Sequence, residues 1–354
     1  MTLITNARRL LIACTVIGAM ASCTKGLSPS PDPSGSGGSG NGSTGGGTTT
    51  STPDVYVVGA DEGPGQIKVA KYWKNGKTVA LTDGTNEAFA TAIAVAGSDV
   101  YVAGYEYNAN KQITVYWKNG TAVSLSDGTN STQATAIAVA GSDVYVAGYT
   151  KVNGYTTAQY WKNGIAVSLP GTGTIATGIA VVGSDVYVCG SGNNGAVYWK
   201  NGIAVSLPSP SGSSGATAIA VVGNDVYVAG GTYGGQYGGG AQYAAKYWKN
   251  GQAITLTDSQ TDGDATAIAI VGSDVYVAGH INFQAGYWKN GKAVTLNDNG
   301  EAYGIAVVGN DVYVAGEEFN SDGSASIVEY WKNGKAVALT DGTTYAYVTG
   351  MVVK

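Results

Sequence analysis

Residues 90–104 read ATAIAVAGSDVYVAG, two short apolar runs joined at Gly97-Ser98. In the first run Ile93 and Val95 alternate with Ala92 and Ala94, and in the second Val100, Tyr101 and Val102 follow Asp99. A period of two, rich in β-branched and aromatic residues, is a strand signature. Large residues set against small ones suit a strand covered on both faces. Gly-Ser-Asp between the runs is turn chemistry, so the stretch reads as a tight antiparallel hairpin.

This hairpin is half of a repeat. DVYV begins at Asp54, Asp99, Asp143, Asp185, Asp225, Asp274 and Asp311. YWKNG places its Trp at 73, 117, 161, 199, 248, 288 and 331, which are all seven Trp of the chain. Successive Trp lie 38 to 49 residues apart, and a short apolar run such as TAVSL follows each YWKNG. Every unit therefore holds four short strands. Lys-Asn-Gly between the third and fourth is a two-residue hairpin signal, because Asn and Gly both tolerate the positive φ of a type I′ turn. Four strands in a period of ~40–45 residues mark a β-propeller blade. The predicted fold is all-β: a seven-bladed propeller.

The two ends of the repeat array complement each other. It opens at Asp54 on a second strand and ends in YAYVTGMVVK, where Thr349, Met351 and Val353 take the places of Thr91, Ile93 and Val95. The C-terminal run is expected to be the innermost strand of the blade whose other three strands follow Asp54. That closure leaves no open sheet edge, whereas a solenoid would need caps.

Composition excludes several classes. The chain has 354 residues with 55 Gly, 24 Tyr and 12% charged residues, at a net charge of −5. Aromatic content this high with so little net charge excludes disorder for most of the length, and there is no three-residue Gly period. One His and three Cys leave little material for metal sites or nucleophile–base pairs, so no enzyme, cofactor or metal site is expected.

The first 53 residues stand apart from the repeats. Residues 1–22 read as an export signal, with Arg8 and Arg9 before an apolar run from Leu10 to Ala21 that is too short to span a bilayer. Met-Ala-Ser-Cys, ending at Cys23, resembles a bacterial lipobox, in which the Cys is lipidated; a plain secretory signal is the alternative. Residues 23–53 are then the anchor and a Gly/Ser/Thr/Pro-rich tether, and 54–354 the propeller. A flexible tether of this length reaches about 30 Å. Cys189 replaces the Ala of a repeated Val-Ala-Gly and reads as a buried small side chain.

GIAVVGSDVYVCG, residues 178–190, resembles the first two strands of bacterial propeller repeats of the SBBP and NHL type, with Val or Ala at their usual Asp position. The YWKNG half resembles repeats of Bacteroidetes-type surface lipoproteins. The resemblance covers 54–354 and implies the fold, an exported lipid-anchored protein and display at the outer membrane. It carries no catalytic motif and implies no reaction.

Antiparallel connectivity assigns residues to the two faces of the ring. The 1–2 and 3–4 turns share one monotonous face, and the 2–3 and 4–1 connections share the other, which differs in every blade. The seven Trp and fourteen repeated Tyr are expected to pack between blades. The remaining ten Tyr and all three Phe fall in the variable segments, with 16 acidic residues against five Lys; the turn face carries ten Lys against seven Asp. The candidate ligand-binding residues are Tyr105, Tyr107, Tyr149, Tyr155, Tyr233, Tyr237 and Tyr243, with His280, Phe283, Glu317, Glu318 and Phe319. Tyr beside Asn, Ser and Asp on a rigid frame suits recognition of an extracellular protein or carbohydrate, and the negative face argues against nucleic acid. The alternatives are a structural spacer, or a hydrolase or lyase using loop carboxylates. The expected assembly is a monomer that meets the membrane only through its anchor, with the basic turn face toward it.

Overall fold

The computed structural model describes residues 52–354 apart from 64–65, 109–110, 210–212, 234–242, 259–260 and 321–324. The signal, Cys23 and nearly all of the tether lie outside the described residues, as does Tyr237; the side chain of Tyr233 is likewise not described. Seven four-stranded antiparallel sheets make up the fold. The innermost strand of each packs on the innermost strands of both neighbours, so the sheets close into a propeller ring.

The second blade shows the plan. Ala88–Ala96 is innermost, followed outward by Asp99–Asn108, Lys111–Lys118 and Thr121–Ser124. The outermost strand is only four residues long, and all four are exposed. An edge this short offers little template for pairing with another chain. In the first blade Ala346–Val353 pairs with Val55–Glu62, which leads to Lys68–Lys74 and Lys77–Ala80. Asp54 and Lys354 exchange backbone hydrogen bonds of 2.6 and 2.9 Å, so the ends join as sequence complementarity requires.

Turn chemistry follows the sequence. Asn75 and Gly76 have φ of 50° and 80°, the type I′ pattern, and the same pair recurs in all seven blades. Gly97, with φ 61° ahead of Ser98, makes the 1–2 turn in the manner of type II′. The Asp that opens each DVYV does more than turn the chain. Asp54 accepts from Asn75 Nδ2 at 2.6 Å and from Lys74 Nζ at 2.8 Å, while Asn75 Oδ1 accepts the Val55 N–H. The neighbouring 1–2 and 3–4 turns are thus clasped side by side, in every blade. These seven ion pairs, all between 2.8 and 3.1 Å, neutralise seven of the turn-face lysines.

Between the blades, all seven Trp are at most 2% exposed, and the DVYV tyrosines are buried with them. The YWKNG tyrosines are only half-buried, because the exposed outermost strand is their neighbour. Toward the axis each innermost strand carries a one-residue bulge, at Thr91 in the second blade. The bulge pushes a carbonyl against the Gly of Val-Ala-Gly. A Cβ on Gly104 would stand 2.0 Å from the Phe89 carbonyl oxygen, and the equivalent figure in the other six blades runs from 1.8 to 2.2 Å. The bulged Thr stitches blades together. Thr135 Oγ1 lies 2.9 Å from the Ala176 carbonyl of the next blade, and Thr349 Oγ1 lies 3.0 Å from that of Ala90, across the closure.

Candidate functional site

Innermost strands run from the variable face toward the turn face, and second strands run back. Two positions per blade therefore meet around the axis at the variable face: the residue two before the bulged Thr, and the residue after Val-Ala-Gly. They pair across the two strands, as Phe89 does with Tyr105. The strand frame that holds them is repeated, yet the pair of residues at these positions differs from blade to blade. From the first blade to the seventh they are Tyr347 and Ala60, Phe89 and Tyr105, Gln133 and Tyr149, Ile175 and Ser191, Gly215 and Gly231, Asp264 and His280, Glu301 and Glu317. Tyr303 also takes the place of the bulged Thr in the seventh blade.

The resulting mouth has distinct sectors. Phe89 stacks on Tyr105 with centroids 4.8 Å apart, Tyr347 lies 6.2 Å from Phe89, and Tyr107 meets Tyr105 edge-on at 6.0 Å. Tyr149 donates to Gln133 Oε1 beside them. The seventh blade supplies the acidic sector, where the Tyr303 hydroxyl donates to Glu301 Oε2 at 2.5 Å. Burial, with Glu317 and Glu301 alongside, raises the Tyr303 pKa well above the usual phenol range, so this hydroxyl is a permanent donor. The fifth blade contributes only Gly215 and Gly231 there, and a Cβ on Gly231 would already touch Asp264 Oδ1 at 3.4 Å.

The candidates read from sequence divide between the mouth and its rim. Tyr105, His280 and Glu317 are buried in the mouth wall, with Tyr107 and Tyr149 half-buried beside it. Tyr155 is 72% exposed at the tip of a 2–3 hairpin, and Phe283 is 57% exposed on another. Phe283 has φ 65°, a left-handed conformation that costs a non-Gly residue roughly 1–2 kcal/mol. Its ring stacks over His280 at 6.1 Å. Tyr243 is half-buried, with its N–H on Asp262 Oδ1. Glu318 is exposed and Phe319 half-buried. Consecutive strand residues face opposite ways, so Glu317 and Glu318 do not converge as a carboxylate pair. Asp262 and Asp264 are likewise engaged separately, the latter by the Ala265 N–H. Among the described residues no group of three His, Cys, Asp or Glu is placed to hold a metal ion.

Phe89, Gln133, Glu301, Tyr303 and Tyr347 complete the mouth and were not among the candidates. Their signal was the alignment of repeats against one another: the columns that disagree are the mouth. Glu329, on the third strand of the seventh blade, is 4% exposed, with Oε1 unpartnered. Burial, reinforced by Glu318, pushes its carboxyl up to about 7. A separate open cleft of about 530 Å³ lies between the first and seventh blades, floored by Trp73 and edged by Asp61, Thr78 and Asp341. No protein-family model matches the chain, and no curated protein matches it in sequence.

Proposed function

We propose that the protein is a non-catalytic binding module, lipid-anchored at the bacterial cell surface, which captures an extracellular protein or carbohydrate on its variable face. One observation carries this reading: within a repeated frame, two varying positions per blade converge on one mouth. A pure spacer gains nothing from an unlike set of Tyr, Gln, His and Glu at one end of the axis. A recognition surface needs such a set, held by a rigid frame. The strained, exposed Phe283 supports the same reading, because strain of this kind persists where function holds it. In this reading the tether joins at Asp54, on the turn face, which leaves the mouth pointing away from the membrane. Of that face's ten Lys only Lys77, Lys292 and Lys335 fall outside the ion-pair clasps, with the C-terminal Lys354 beside them, so attraction to anionic headgroups adds at most ~1 kcal/mol for each.

The test uses the unlipidated chain lacking residues 1–23 on a glycan array and in pull-downs from cell surfaces. The expected result is a ligand retained by the wild type and lost with Tyr105→Ala or Gln133→Ala in variants that still unfold cooperatively. Retention by the mouth variants, or no retention by any form, would overturn the assignment.

A further inference from the structure

The turn face contains a recognition chemistry repeated seven times. Each YWKNG ammonium lies over the ring of a DVYV tyrosine and against a carboxylate. Lys74, for instance, is 5.1 Å from the Tyr56 centroid and 2.8 Å from Asp54 Oδ2. The same geometry recurs at Lys118 with Tyr101 and Asp99, and at Lys332 with Tyr313 and Asp311. The ring quadrupole and the anion act on one cation together.

The mouth presents the ring and the carboxylate of that arrangement. Phe89, Tyr105 and Tyr347 form a contiguous aromatic wall, and Glu301 and Glu317 stand beside it. Wall and acids adjoin, since the two inner strands of the seventh blade, which carry Glu301 and Glu317, pack on Ala346–Val353, which carries Tyr347. Among the described residues Glu301 has no ion pair; its contact is Tyr303. The nearby lysines of the first blade are committed elsewhere, Lys68 to Glu62 and Lys71 to Asp61. At the mouth the Tyr347 hydroxyl and Nε2 of His280, a residue only 7% exposed, are shielded from water without a hydrogen-bond partner. Such atoms are costly while unsatisfied, and a ligand that engages them recovers that cost. The acid excess of the variable segments favours a cation over an anion throughout this face.

We infer that the mouth takes a cationic side chain, an arginine or lysine presented by a loop of a protein partner, with the aromatic wall against its flat or apolar part and Glu301 and Glu317 on its charge. This rests on the binding role proposed above and names the partner's chemistry. A protein, rather than a free small cation, is the occupant because Tyr155 and Phe283 are exposed on outlying loop tips, where only a partner wider than the mouth reaches them.

The test immobilises the unlipidated chain and measures short Gly/Ser peptides with a single central Arg, Lys, citrulline or norleucine, with spermidine as a small-cation control. The Arg and Lys peptides should bind at least about tenfold more tightly than the neutral ones, and weaken as ionic strength rises. Glu301→Gln should abolish that preference at an unchanged thermal midpoint, and Phe89→Leu, which keeps apolar volume, should weaken both cationic peptides. Equal binding of citrulline and arginine peptides, a preference that survives Glu301→Gln, or spermidine binding as tightly as the peptides would overturn the inference. If the mouth retains only a neutral protein or a glycan, this inference fails and the binding role stands. If nothing is retained on this face, both fail.

Discussion

Cys189 faces Gly178 across the two inner strands of the fourth blade, where four other blades pair Ala with Ala. A Cβ on Gly178 would come within 2.9 Å of the Cys189 Sγ. The larger residue on one strand is matched by the smaller one opposite, so the pair fills the same space as its counterparts. Gly178→Ala alone should therefore destabilise by about 1–3 kcal/mol through overpacking. Adding Cys189→Ala should recover most of it by recreating the Ala–Ala pair. Denaturant midpoints of the double-mutant cycle check this, and additive losses would refute it. Burial pushes the Cys189 thiol up to about 12, so a thiol reagent should label it only upon unfolding.

Gly104 is held by a different constraint. A Cβ there would overlap backbone at 2.0 Å, and backbone in the sheet cannot step aside as a side chain can. Gly104→Ala should cost more than about 4 kcal/mol or prevent folding. Ser98→Ala, in the neighbouring exposed turn, should stay within about 0.5 kcal/mol. Equilibrium unfolding of the two variants decides the matter.

Glu329 makes stability depend on pH in an identifiable direction. Its folded pKa, about 7, lies above the ordinary carboxylate value of 4.5, so between those two pH values the folded state binds the extra proton. Stability contributed by the protonated group is fully present below pH 4.5 and is lost as pH rises through 7. Glu329→Gln should leave stability nearly unchanged at pH 4 and raise it by about 1–3 kcal/mol at pH 8. Thermal midpoints measured at both pH values test this; a gain confined to low pH would contradict it.

Ring closure predicts an asymmetry between cutting and rejoining the chain. Ending the protein at Tyr345 removes the innermost strand of the first blade and exposes the edge of Val55–Glu62. That variant should aggregate or lose its near-ultraviolet dichroism. A circular permutant joining Lys354 to Asp54 through a short linker and opening at an exposed 4–1 connection, between Asp83 and Glu87, should fold. Its new bond spans ends already within hydrogen-bond distance. Size-exclusion chromatography with dichroism separates the two outcomes.

How much of this was legible depends on whether a position repeats. The strands, the Asn-Gly turns, the seven blades and the role of Thr349 as the closing counterpart of Thr91 all follow from period and turn chemistry, because local backbone preferences act over a few residues. The clasp among Asp54, Lys74 and Asn75 was not visible, since Asp before Val-Tyr-Val satisfies a turn equally well on local grounds. The invariant Gly104 was also ambiguous. Only the bulge at Thr91, a matter of register between strands, brings the Phe89 carbonyl against it.

The site divides along the same line. Tyr105, His280 and Glu317 could be assigned to the variable face because connectivity alone decides which connections lie there. That Phe89, Tyr347 and Glu301 stand beside them is a consequence of closing the ring, which brings seven sequence-distant strand ends to one axis. Sequence by itself determined the blade, its number of copies and the face on which the copies differ, through short-range propensity and repetition. Tertiary structure alone decided which unlike residues meet and which of them lose water, because burial and proximity at the axis arise only when all seven blades are in place.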